Sequence, residues 1–141
     1  MIRYYGISCN SAEDAMAFMV RDDIACLQVA ANIMQSEVLN LILPAARKKN
    51  LAIISREPFG GGSIFSYSPL QEFCKTHPQY KESQVALQYL LQRDDTGVIL
   101  VGMTCRKNLY QNLDVFNESH LSANEIQILE KLDTADRSDF I

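Results

Sequence analysis

Leu51 to Gly62, read as L-A-I-I-S-R-E-P-F-G-G-G, restricts the fold more than any other stretch of the chain. Leu51-Ala52-Ile53-Ile54 has the length and β-branched content of a buried strand. Ser55-Arg56-Glu57 adds polar groups at its end. Pro58 then stops the ladder, because it has no N–H to donate. Three consecutive glycines, Gly60 to Gly62, let the backbone take positive φ and come close to something bulky. A strand that ends in polar residues and enters a glycine loop is a common way for α/β proteins to build a phosphate-binding edge.

Three other predicted strands end in a similar manner. Arg3 to Ser8 reads as a strand that runs into Cys9-Asn10, with Gly6 marking a close backbone approach. Ile24 to Val29 is the second, and its Gln28 needs a hydrogen-bond partner if buried; Asn32 and Gln35 add polar groups beyond it. Leu51 to Ile54 is the third. Val98 to Val101 is the fourth, followed by Gly102-Met103-Thr104-Cys105-Arg106-Lys107.

Helical signals separate these strands. Ser11 caps a helix that carries Ala15, Phe18 and Met19, with Asp14 at the third position. Ser36 is expected to cap a second, over 36–49, with a stripe of Val38, Leu39, Ile42 and Leu43. Pro44 either kinks it or begins a second segment, the kink being favoured, and Asn50 is expected to stand just past its end. Glu82 to Arg93 and Lys107 to Leu113 read as further helices. The last starts at Ser122, where Glu125 completes a capping box, and buries Ile126, Leu129 and Leu132. Ser63 to Pro78 reads as a surface excursion with one helical turn at Leu70 to Lys75. Asp133 to Ile141 reads as a flexible tail. Strands alternating with helices mean an α/β fold with parallel strands and helical crossovers. The C-terminal ends then share one edge, so the four polar segments are expected to line one site.

Composition narrows the function. The 141 residues, 48% of them hydrophobic, suffice for a single domain, 1–141, with a real core. A net charge of −4, with no basic cluster beyond Arg47-Lys48-Lys49 at a helix end, argues against a nucleic-acid surface. No apolar run approaches the roughly 20 residues that span a bilayer. Met1 to Tyr4 does not read as a secretory leader, so a cytoplasmic location is expected. The cysteines at 9, 26, 74 and 105 are widely and irregularly spaced, which predicts neither a disulfide framework nor a metal site. Cys9 and Cys105 stand at strand ends, but no activating partner is visible for either.

The four strand ends, in this order, resemble the second half of the aldo-keto reductase barrel. Gly6-Ile7-Ser8 is similar to that family's fifth strand, G-V-S-N. Leu27 to Asn32, L-Q-V-A-A-N, is similar to its sixth, Q-x-x-Y-N. Ser55 to Gly62 is similar to its seventh, Y-S-P-L-G-x-G or R-x-P-L/F. Val101 to Asn112, V-G-M-T-C-R-K-N-L-Y-Q-N, is similar to its eighth strand and following helix, I-P-G-x-S-x-x-x-x-L-x-x-N. The resemblance implies strands five to eight of a TIM (β/α)8 barrel with their helices.

It also implies a nicotinamide-dinucleotide site, with NADP favoured and NAD open. Ser8 and Gln28 match positions that bond the nicotinamide carboxamide. Cys9 stands where many members have Asn, which leaves Asn10 to substitute. Arg56 matches the side chain beside the nicotinamide ring; a salt bridge to Glu57 is its alternative. Pro58, Phe59, Gly60 and Gly62 match the pyrophosphate loop. Gly102, Met103 and Thr104 match the segment around the adenosine ribose. Asn108 stands where NADP-preferring members often carry Arg, with Arg106 and Lys107 close enough to serve instead. Gln111 and Asn112 match the adenine contacts. The family's catalytic tetrad of Asp, Tyr, Lys and His comes from the first four strands, so no catalytic residue is expected here. Tyr4 and Tyr5 lie in the wrong motif, and His77 and His120 lie away from strand ends. The expected function is the cofactor-binding half of a carbonyl reductase, inactive alone and completed by an N-terminal half-barrel. The alternative is a non-enzymatic half-barrel that closes as a homodimer, with or without a phosphate ligand. A substrate-facing wall is expected from Phe116 or Phe140.

Overall fold

The protein is described here by a computed structural model that covers residues 1–35, 37–117 and 120–135. The expected cap Ser36, the side chain of Leu132 and the stretch 136–141 with Phe140 lie outside the described residues. Strands β1 (Gly6–Ser8), β2 (Cys26–Ala30), β3 (Ala52–Arg56) and β4 (Val98–Ile99) form one sheet in the order β1-β2-β3-β4. All three pairings are parallel, with Ser8, Gln28, Ile54 and Val98 in one row. Their C-terminal ends therefore share an edge, as the alternation requires.

The edge strands are shorter than the sequence predicts. An edge strand has one neighbour only, so its ends make single bonds instead of a ladder. The Ala25 N–H still reaches the Tyr5 carbonyl at 2.9 Å, and the Leu100 N–H reaches Ser55 at 2.8 Å. Gly6 is explained by its surroundings: a Cβ there would lie 2.2 Å from the Cys26 Sγ and 2.4 Å from the Cys26 carbonyl oxygen.

Helix α1 (Ala12–Phe18) begins at Ser11, whose hydroxyl accepts the Asp14 N–H at 3.0 Å. At Pro44 the favoured kink gives way to the other reading, a second segment that begins there. Wide π-helical turns over Val38–Ile42 lead into α2 (Leu43–Lys48), and the Leu43 N–H bonds to the Val38 carbonyl five residues back. Proline offers no N–H and crowds the carbonyl four residues before it, and a wider turn relieves both problems. Asn50, with φ 56, ends the segment in the left-handed conformation expected of it.

The stretch read as a surface excursion holds more structure than one turn. Two short tight turns, separated by the non-helical Gly61 and Gly62, run over Gly60–Ser66, and α3 spans Ser68–Thr76 with Leu70 and Phe73 buried. Pro69 sits in the first turn of α3, where its missing N–H costs nothing. Helices α4 (Glu82–Leu91), α5 (Arg106–Leu113) and α6 (Ala123–Ala135) complete the chain. The Ser122–Glu125 capping box forms at the start of α6, and that helix continues to Ala135, past the expected start of the tail.

One core lies between a single face of the sheet and the helices. Leu27, Val29 and Ile53 from the strands meet Ala15 and Met19, Leu39 to Ala46, and Val85 to Leu90. The opposite face carries Gly6, Ser8, Ala52, Val98 and Leu100, all exposed. No helix among the described residues is long and apolar enough to cross a membrane.

Candidate functional site

At the ends of β1, β2 and β3 the polar residues bond to one another. Ser8 and Gln28 are register partners, and the Gln28 Nε2 donates to the Ser8 hydroxyl at 3.2 Å. This is the partner that Gln28 requires. Arg56, the last residue of β3, reaches back across the sheet. Its guanidinium donates to the Asn10 Oδ1 at 3.1 Å and to the Cys9 carbonyl at 3.3 Å, and it also pairs with the Glu57 carboxylate. Arg56 thus makes the alternative salt bridge to Glu57 and also a tie between β3 and the loop after β1.

Cys9 turns its side chain into the core, where it is 3% exposed. Burial pushes its thiol up, aided by the Asp14 charge and opposed by Arg56. That environment is the reverse of an activated thiol. Asn10 is exposed and is the side chain at this strand end that faces outward with Ser8 and Gln28.

Beside this cluster a cleft of about 720 Å³ opens between the glycine loop and α5. One wall is Glu57, Pro58, Phe59, Gly61 and Gly62, with Phe65 set against Phe59 at a ring separation of 5.9 Å. The loop backbone is unusual throughout. Glu57 has φ 55, and Gly60, Gly61 and Gly62 have φ 54, 64 and 100. Gly61 and Gly62 have no neighbour within 4 Å of where a Cβ would stand, so their backbone lies open to the cleft. Gly60 differs: a Cβ there would strike the Met34 Cε at 2.4 Å, on the protein side of the loop.

The other wall comes from β4 and α5. Leu100, Gly102 and Thr104 lead into α5, which presents Asn108, Gln111 and Asn112. The spacing i, i+3, i+4 places those three on one helical face. Gln111 is anchored by its Nε2, which donates to the Ser83 hydroxyl of α4 at 3.2 Å. Leu109, Tyr110 and Leu113 point elsewhere and are exposed.

The structure thus divides the predicted site residues. Pro58, Phe59, Gly62, Gly102, Thr104, Asn108, Gln111 and Asn112 line the cleft. Ser8, Asn10, Gln28 and Arg56 form the neighbouring cluster, and Glu57 belongs to both. Gly60 shapes the loop without lining it. Met103 and Arg106 are exposed outside the cleft, as is Phe116. Sequence reasoning missed Glu57, Phe65, Ser83 and Leu100 as lining residues. Gly61 was visible in the glycine run; Ser83 came from a helix with no strand-end signal.

A family model, the aldo/keto reductase family, matches residues 1–134. A comparison with curated proteins gives no match. Among solved structures, the holo form of the aldo-keto reductase AKR11C1 from Bacillus halodurans is 21% identical, with a TM-score of 0.77 over 93% of this chain and 50% of that one. The thermostable aldo-keto reductase Tm1743, solved with the inhibitor epalrestat, is 24% identical, with a TM-score of 0.71 over 93% of this chain and 48% of that one. The chain therefore spans about half the length of the solved structures it matches. With a parallel four-stranded sheet, strand ends gathered on one edge, and a family match over nearly its whole length, the chain belongs to the aldo/keto reductase family.

Proposed function

We propose that this chain supplies strands five to eight of an aldo-keto reductase barrel and is its cofactor-binding half, holding NADP in preference to NAD. The observation that carries this reading is one cleft bounded by both the glycine loop and the β4–α5 segment, next to Ser8, Gln28 and Arg56. Its volume lies within the range of small-molecule and cofactor sites. The open backbone of Gly61 and Gly62 fits a pyrophosphate, and Asn108, Gln111 and Asn112 offer donors and acceptors for the adenosine end. Arg106 and Lys107 at the start of α5 supply positive charge for a 2′-phosphate. Ser8, Gln28 and Asn10 would hold the carboxamide end, with the Arg56 guanidinium beside the ring.

When bound, the nicotinamide supplies the hydride chemistry; these residues orient it. A carbonyl reduction also needs a proton donor of tuned pKa. In this reading the donor belongs to the other four strands. Those strands would also cover the exposed face of this sheet.

A titration of the chain with NADPH, followed by nucleotide fluorescence, tests the reading together with an aldehyde-reduction assay. Binding without turnover is expected, with tighter binding of NADPH than NADH. Turnover by the chain alone would contradict the assignment of the proton donor to other strands. A stable homodimer with no nucleotide affinity would favour the non-enzymatic half-barrel.

A further inference from the structure

Asn32 lies just past the end of β2, is 1% exposed, and lines no part of the cleft. Its side chain nevertheless reaches the glycine loop. The Asn32 Nδ2 donates to the Glu57 carbonyl oxygen at 3.1 Å, and its Oδ1 accepts the Met34 N–H at 3.0 Å. The same Glu57 oxygen accepts the Gly60 N–H at 2.8 Å. The side chain that links the loop after β2 to the loop after β3 is therefore fixed at both its polar atoms.

Glu57 needs such a hold. Its φ of 55 lies in the left-handed region, which costs a non-glycine residue energy unless the surroundings impose it. The turn it starts places Pro58 and Phe59 in the cleft wall and aims the backbone of Gly61 and Gly62 at the open space. Asn32 also lies 3.6 Å from where a Gly60 Cβ would stand, so it packs under the loop as well as bonding to it.

We infer that Asn32 is a positioning residue for the cofactor loop: through the Glu57 carbonyl it holds the turn that presents Gly61 and Gly62 to a bound dinucleotide. The inference rests on the reading of the cleft as a dinucleotide site. No substitution removes the donor more selectively than Asn32→Asp. The acceptor for Met34 is kept, and the amide that faces Glu57 becomes a second acceptor.

The test is a titration of the full chain, native and Asn32→Asp, with NADP at a series of pH values. At pH 7.5 the variant should bind on the order of tenfold more weakly, as expected for a lost buried hydrogen bond. The loss should shrink as the pH falls, because a protonated carboxyl regains an O–H that can donate to Glu57. Taking the ratio to native at each pH cancels the titration of the cofactor itself. The burial cost of the new carboxylate also vanishes on protonation, so amide exchange, not the pH profile alone, separates the lost donor from a general loosening. Equal affinity at every pH, or a loss that grows in acid, overturns the proposal.

A second measurement separates this inference from the reading beneath it. At pH 7.5 the Gly60 amide should exchange faster in the variant, while those of Leu27 and Ile53 stay protected. If native chain binds no nucleotide, the cofactor reading fails and the exchange of Gly60 still decides whether Asn32 holds the turn. Should the variant not fold, the Asn32 side-chain amide protons of native protein provide the check. Slow exchange, comparable to core amides, is expected, and rapid exchange rules the hold out.

Discussion

The two faces of the sheet are built from the same strands and behave as different materials. On the helix side Leu27, Val29, Ile53 and Ser55 are at most 2% exposed. On the other side Val98 and Leu100 are 51% and 47% exposed, and Ala52 is open as well. Because side chains alternate along a strand, one register fixes both faces at once. Parallel sheets are normally covered on both faces. The difference shows where stability in this chain resides: on the helix side.

The sharpest test of that contrast is a pair of truncations. Leu27→Ala removes a fully buried side chain from the packed face and should cost about 3 kcal/mol, in the range for large-to-small core changes. Leu100→Ala on the bare face should change stability by less than about 0.5 kcal/mol. Urea unfolding of both variants measures the two together. Comparable losses would show that the bare face is packed in solution by something within the chain or by another copy. A Leu100→Ala cost that depends on protein concentration would identify the copy.

The bare face is not free of constraint everywhere, and Gly6 marks where. The Cβ of a Gly6→Ala variant would meet the Cys26 Sγ and, more seriously, the Cys26 carbonyl oxygen. A side chain can turn away, whereas a ladder carbonyl cannot, so β1 must shift from β2. A loss of about 2 kcal/mol is expected, typical of overpacking. Adding Cys26→Ala should recover only part of it, because the carbonyl stays. Full recovery in unfolding experiments would place the conflict at the thiol alone.

How much of this was legible in the sequence follows the range of the interactions. Ser11, Ser122 with Glu125, Asn50 and Gly6 were readable because each acts on backbone within a few residues or through a close approach that only glycine allows. The order of strands and helices, and so the common edge, followed from periodicity. Helix α3 was under-read because it is short and lies between Pro69 and Pro78, although Leu70, Phe73 and Cys74 already stand at helical spacing. The π-helical turns before Pro44 were not legible, since proline permits either a kink or a widened turn and tertiary packing chooses. Within the candidate site, the glycine loop and α5 were readable from motif spacing. The Arg56 contact to Asn10 and the Asn32 contact to Glu57 join residues 46 and 25 apart, and nothing local announces them.

A smaller effect than at Gly6 lies at the rim of the packed side, where α6 starts. The Glu125 carboxylate accepts from the Ser122 N–H at 2.7 Å and from the Ser122 hydroxyl at 2.6 Å, and it lies 4.0 Å from the His77 Nε2. Burial alone would raise its pKa, but the Ser122 hydrogen bonds, with smaller help from His77 and Tyr80, hold it below its ordinary value of 4.5. A lowered folded pKa means that the carboxylate stabilises the fold above that ordinary value and stops doing so as the pH falls through the lowered one. Ser122→Ala should therefore cost about 1 kcal/mol at pH 7, as for other N-cap losses. The gap between native and variant should narrow once the pH drops below about 4.5. Urea unfolding at pH 7 and in acid measures both. A gap that stays constant into acid would mean that the cap works through the hydroxyl alone, and that the Glu125 charge contributes nothing to this edge of the packed side.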